Sequence, residues 1–76
     1  MIDISQVAER LEADEKLKLS YRFPVHLPDG QVDYETREGR LLDVAEEARL
    51  FYVLQDDAII WVKIEEAIEV MRDDST

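Results

Sequence analysis

The chain has 76 residues and no cysteine, so it is long enough for one small domain and offers neither a disulfide framework nor a thiolate metal site. Hydrophobic residues make up 46% of the sequence, which is typical of a folded protein rather than a disordered one. The formal net charge of −10 repels phosphate backbones and argues against a nucleic-acid-binding protein.

The N-terminal residues lack the basic start and apolar run of a signal peptide. No apolar stretch approaches the roughly 18 residues of a membrane span. We therefore expect a soluble, cytoplasmic protein with no membrane contact. We also expect one domain over residues 1–76, with an N-terminal helix at 1–15, a small barrel at 16–71 and a frayed tail at 72–76.

Residues 3–14 carry the pattern of an amphipathic helix. Asp3 is suited to cap the first turn, with Gln6 three residues later as the return partner. The apolar positions follow the spacing i, i+3, i+4, i+7 and form one stripe: Ile4, Val7, Ala8 and Leu11. A helix this short is unstable alone, so we expect it to pack on a sheet.

Two alternating segments around a turn predict a β-hairpin. Apolar and polar residues alternate over 16–23 and again over 31–38, as they do in half-buried strands. The intervening "LPDGQ" combines Pro28 and Gly30, which suit the corners of a tight turn. Pro24 is expected to end ladder pairing on at least one edge of the first strand.

The centre of the chain admits two interpretations. Gly39 marks a bend or bulge, and residues 40–44 are predicted to be a strand, followed by a turn at 45–48 and another strand at 50–54. The alternative is a helix at about 41–54, where apolar residues also recur at helical spacing. We favour the strands, because the second apolar run is rich in β-forming residues.

The segment "IIWVKIEEAIEV" at 59–70 predicts a strand, a single helical turn at 65–67 and a last strand at 68–70. A last strand reached by so short a turn can pair back onto the first strand and close the sheet. We therefore predict a mainly β fold: a five-stranded small barrel with one N-terminal helix. The alternative is an α+β fold that contains the central helix.

This order of elements resembles the Sm-like and SH3-like small barrels. Within that group the chain is similar to the YolD-like family in four segments: "LKLSYR", "PDGQV", "EGRLLDV" and "WVKIEEAIEV". It departs from that family in the longer segment "FPVHLPDG". The YolD-like resemblance implies no established chemistry. The chain also resembles the Rho-binding antiterminator family, which implies binding to the basic surface of a nucleic-acid-handling protein.

Candidate catalytic and metal-binding groups are sparse. His26 is the only histidine and lies between two prolines, without the partners that acid–base catalysis or zinc requires. The carboxylate pairs at 46–47, 56–57, 65–66 and 73–74 lack the spacing and the glycine of a calcium loop. We therefore predict no enzyme activity, no cofactor and no metal site.

The negative charge of the C-terminal half and two strands that are apolar on both faces together predict a protein-interaction surface. Residues 41–76 carry a net charge of −7, which indicates either a basic partner or a surface adapted to solubility or to salt. The runs 50–54 and 59–62 are apolar on both faces, which indicates either burial under the helix or an outward patch for a partner. We expect carboxylates to attract a basic surface and an aromatic side chain to anchor it. The predicted site residues are Phe51, Tyr52, Asp56, Asp57, Trp61, Glu65, Glu66 and Glu69.

The sequence thus predicts a non-enzymatic, acidic protein-interaction module. Docking on the basic surface of a nucleic-acid-handling protein would let such a module regulate or inhibit that protein. The alternative is a self-associating structural protein, a homodimer formed through strand edges. Direct binding of nucleic acid is the least favoured function, because of the negative charge.

Overall fold

A computed structural model describes residues 2–73 and shows one α-helix and a single five-stranded antiparallel sheet. The elements in chain order are α1 (Ile4–Glu12), β1 (Leu17–His26), β2 (Val32–Ala45), β3 (Leu50–Gln55), β4 (Ala58–Lys63), the 3₁₀ turn η1 (Ile64–Glu66) and β5 (Ala67–Arg72). The predicted mainly β fold with an N-terminal helix is confirmed, including the single turn before the last strand.

The strands lie in the order β4-β3-β2-β1-β5, and each neighbouring pair is antiparallel. β5 pairs with β1 from Leu17 opposite Arg72 to Tyr21 opposite Ala67, so the predicted return of the last strand to the first is confirmed. No ladder joins β4 to β5 within residues 2–73. The sheet is barrel-like but open, so its predicted closure is wrong: η1 places β5 beside β1 and leaves β4 at an edge.

The N-terminal helix is capped and half-buried as its pattern predicts. The Asp3 carboxylate accepts hydrogen bonds from the backbone N–H groups of Ser5 and Gln6, at 3.1 and 3.3 Å. Val7 is buried, and Ile4 and Leu11 pack against the core. The helix therefore covers one side of the sheet with its apolar stripe.

The core is formed by alternate residues of the strands. Every second residue at the start of β1 is completely or almost completely buried, as the alternation of that segment predicts. The buried apolar side chains are Val7, Leu17, Leu19, Tyr21, Leu41, Phe51, Val53 and Val62. Each such side chain contributes roughly 1.5–3 kcal/mol on burial, which is how a chain this short stabilises its sheet.

The predicted break at Gly39 is wrong, because β2 runs without interruption through that residue and forms one strand. The irregularity in the β2–β3 ladder lies between Leu41 and Asp43 instead. A Cβ atom at Gly39 would overlap Val53 Cγ1 and lie 2.9 Å from the carbonyl oxygen of Leu54. The glycine is therefore required by the close approach of β3, not by a bulge.

The helical alternative for residues 41–54 is wrong, and the strand–turn–strand interpretation is confirmed. β2 ends at Ala45, residues 46–49 form the turn, and β3 begins at Leu50. Of the predicted frayed tail at 72–76, Arg72 belongs to β5, and the N–H of Asp73 donates to the carbonyl oxygen of Lys16 at 2.8 Å. Residues 74–76 lie outside the described part of the chain.

Tyr21 should make the stability of the fold sensitive to alkaline pH. Its hydroxyl donates to Gln55 Oε1 at 2.7 Å. Burial raises the pKa of Tyr21 above its ordinary value of 10.0; Arg37 opposes this shift and Asp56 reinforces it. The unfolded chain therefore loses this proton first, so the free energy of unfolding should fall as pH rises from about 10 through the higher folded-state pKa.

Urea denaturation at a series of pH values measures this effect, with Tyr21→Phe as the control. The variant should be less stable by about 1 kcal/mol at neutral pH, because it lacks the hydroxyl hydrogen bond. It should lack the part of the alkaline decrease that comes from Tyr21. If the free energy of unfolding falls equally steeply with alkaline pH in both proteins, this role of Tyr21 is contradicted.

Candidate protein-interaction surface

Apolar side chains are exposed on the outer face of β3 and β4, which is the face turned away from the core. The ladder places Tyr52 opposite Trp61 and Leu54 opposite Ile59. Tyr52, Trp61 and Ile59 are 36%, 60% and 67% exposed, and Leu54 is half-buried beside them. We call these four residues the outer patch. The sequence allowed either burial of this face under the helix or an outward patch, and the structure shows the outward patch.

The prediction that Phe51 could anchor a partner is wrong, because this side chain is 0% exposed. Neighbouring residues of a strand point to opposite faces, so Phe51 and Tyr52 cannot both be outside. Phe51 lies opposite Val62 on the inner face, within the core. Tyr52 and Trp61 remain as the two exposed aromatic residues of the predicted site.

Asp56 and Asp57 form the tight turn between β3 and β4 and lie at one end of the outer patch. Their φ angles are 50° and 66°, so both residues adopt the left-handed conformation of a two-residue hairpin loop. Both are exposed, and within residues 2–73 neither forms an ion pair. Their negative charge is therefore available to a partner of opposite charge.

The other predicted carboxylates lie elsewhere. Glu66 is half-buried, and its Oε2 lies 3.2 Å from Arg22 Nε, so its charge is compensated within the chain. Glu65 and Glu69 are exposed near the start of α1, where they line a shallow depression together with Asp3. The structure therefore places the two turn aspartates at the outer patch and Glu66, with its charge paired, in a groove beside Trp61, whereas Glu65 and Glu69 lie apart from the patch.

Beside β4 lies a groove of about 350 Å³, which separates this strand from the distal part of β1. Its lining includes Phe23, Tyr34 and Trp61. The guanidinium of Arg22 lies 4.4 Å from the centre of the Tyr34 ring, a cation–π contact that fixes one wall. The groove exists because the sheet is open between β4 and β1.

The prediction that Pro24 ends ladder pairing is wrong: the β1–β2 ladder continues through it to His26, and the β1–β5 ladder ends earlier, where β5 begins. This residue pairs with Tyr34 in the β1–β2 ladder, whereas the ladder between β1 and β5 ends at Tyr21. Proline has no N–H to donate, so the free edge of β1 beyond β5 is a poor template for another strand.

Ile59 is the residue of the outer patch that the predicted site omitted. It is the most exposed large apolar side chain of the described residues. Its position two residues before Trp61 in the same strand places it on the same face, and that spacing was the signal that could have identified it.

Residues 2–73 contain no group of three or more His, Cys, Asp or Glu side chains placed to hold a metal ion. His26 is exposed at the end of β1. No helix in this part of the chain is both long enough and apolar enough to cross a membrane.

Comparison of the chain with protein-family models, with curated proteins and with solved structures gave no match. The resemblances to the YolD-like and Rho-binding antiterminator families therefore stay predictions. The geometry and charge of the outer patch are therefore the observations from which we argue a function.

Replacing Asp57 by glycine should stabilise the hairpin. A side chain in the left-handed conformation costs roughly 1 kcal/mol that glycine avoids, so we expect the free energy of unfolding to rise by about that amount. Asp57→Asn is the matched control, because it removes the charge and keeps the side chain at φ 66°. Urea denaturation measures both variants, and an equal gain from both would attribute the effect to charge instead.

Proposed function

We propose that the chain is a non-enzymatic protein-interaction module that docks on the basic surface of a partner protein. The outer patch is the observation that supports this proposal most strongly. Trp61 and Ile59 are at least 60% exposed on a strand whose opposite face is in the core. Large exposed apolar patches on small proteins are typical of interaction sites.

Electrostatic attraction would guide the encounter. The chain carries a net charge of −10, and the carboxylates of Asp56 and Asp57, which form no ion pair within residues 2–73, lie at the end of the outer patch. Complementary charge raises the association rate and orients two proteins before contact. A basic partner surface fits this field, whereas an acidic surface or a nucleic acid is repelled.

Burial of the aromatic side chains would then hold the complex together. Trp61 and Tyr52 lie opposite each other and form one continuous exposed surface. Tryptophan and tyrosine dominate the binding energy of many interfaces, and burying one large apolar side chain contributes roughly 1.5–3 kcal/mol. We therefore assign Trp61 as the principal anchor and Tyr52 as its support.

The basic surface of a cytoplasmic protein that binds nucleic acid is the partner we propose. Such a surface attracts phosphates by charge, and an acidic protein that covers it competes for the same groups. Docking of this kind would inhibit or regulate the partner. The resemblance to the Rho-binding antiterminator family agrees with this role.

Trp61→Ser should abolish capture of the partner without unfolding the module. Because Trp61 is exposed, its loss should change the free energy of unfolding by less than about 1 kcal/mol. Affinity purification of the tagged chain from its own cells, followed by mass spectrometry, measures capture. We expect one protein to be retained by the wild type, to be released by salt and to be at least about tenfold depleted with Trp61→Ser.

Tyr34→Ser is the matched control, because Tyr34 is 51% exposed, against 60% for Trp61, and lies on β2 outside the outer patch. This variant should retain the same protein as the wild type. A captured protein that survives Trp61→Ser, or one whose binding does not respond to salt, would contradict the proposed surface. Absence of any specifically retained protein would contradict the proposed function.

A further inference from the structure

Within residues 2–73, β4 pairs with β3 on one side and with no strand on the other, so it has a free edge. The N–H of Ile64 donates to the carbonyl oxygen of Arg49 at 3.0 Å, in register with the β3–β4 ladder. Hydrogen-bonded and non-hydrogen-bonded pairs alternate along an antiparallel ladder, so the even-numbered residues of β4 bond to β3. The odd-numbered residues, Ile59, Trp61 and Lys63, therefore direct their N–H and C=O groups to the free edge.

This edge has little of the usual protection against pairing, because its one charged residue, Lys63, is the last residue of the strand. Edge strands normally carry a proline, an interior charge or a bulge. Every residue between Asp57 and Lys63 is apolar, and the register with β3 is unbroken. Pro24 makes the free part of β1 a poor partner for another strand, and the charge of Glu69 does the same for β5. β4 is thus the edge of this sheet best suited to receive another strand.

We propose that β4 pairs antiparallel with β4 of a second copy of the chain, which joins the two sheets in a homodimer. A two-fold axis at Ile60 gives a register in which the free-edge groups of both strands face each other. In that register Ile59 lies opposite Trp61 of the partner subunit, and Lys63 lies opposite Asp57 of the partner subunit. An interface of this kind is isologous, so each contact occurs twice.

The opposite charges at the two ends of β4 favour a second copy as the occupant, and they act against the repulsion between two chains that each carry a net charge of −10. β4 is preceded by Asp57 and ends at Lys63, and within residues 2–73 neither side chain forms an ion pair. Antiparallel self-pairing brings these opposite charges together at both ends of the interface. Parallel pairing would instead place Lys63 beside Lys63 of the partner subunit and Asp57 beside Asp57 of the partner subunit.

Apolar contacts support the same register. On the outer face, contact of Trp61 with Ile59 of the partner subunit would extend the outer patch across the two-fold axis. Pairs of aromatic and β-branched residues across strands stabilise a sheet. This dimer does not depend on the identity of any other partner.

Sedimentation velocity over micromolar to millimolar concentrations tests the dimer, with the pair Ile59→Pro and Ile59→Ser. Both variants lose the side chain, but only proline loses the N–H that points to the free edge. Ile59→Pro should raise the dimer dissociation constant at least about tenfold relative to Ile59→Ser. Circular dichroism checks that both variants keep the sheet. A wild type that stays monomeric, or equal dissociation constants for two folded variants, would overturn the proposal.

A charge exchange tests the register without affecting the backbone of β4. Lys63→Glu places like charges together and should raise the dissociation constant about tenfold. The double variant Asp57→Lys with Lys63→Glu restores opposite charges and should return the constant to within about threefold of the wild type. A double variant as weak as Lys63→Glu would overturn the pairing of these residues, even if Ile59→Pro fails to fold.

Discussion

Antiparallel pairing of β5 with β1 is the constraint on which the rest of the structure depends. η1 is only one turn long, so it delivers the chain directly to the free side of β1, where β5 extends from Ala67 to Arg72. That pairing covers the edge of Leu17–Tyr21, the most buried part of the sheet. Among the described residues it also leaves β4 with no neighbouring strand on one side, and the groove and the free edge lie there.

β3 and β4 carry apolar residues on both faces, one turned to the core and one exposed. One set of alternate residues, including Phe51, Val53 and Val62, completes the core beneath the sheet. The other set forms the outer patch, which the core does not require. The exposure of Ile59 and Trp61 on this face is the feature that the proposed docking would explain. The same feature supports docking on a partner and pairing with a second copy.

Local patterns predicted the elements of this fold, because alternation, capping and turn chemistry act over a few residues. Asp3 is a position where such a local rule sufficed. Three features depend on distant contacts and were not predictable in this way. Gly39 is required by the approach of β3, Phe51 is buried by the direction its strand faces, and the sheet stays open because β5 aligns with β1. Glu65 and Glu69 lie away from the outer patch because η1 and β5, which carry them, lie beside β1 and not beside β4.

Amide hydrogen exchange along β4 in dilute solution tests the free edge most directly. If β4 is an open edge strand, the N–H groups of Ile60 and Val62 should be protected by β3, whereas those of Ile59 and Trp61 should exchange as exposed amides. Protection of all four amides in the monomer would show a closed sheet and would contradict the free edge of β4.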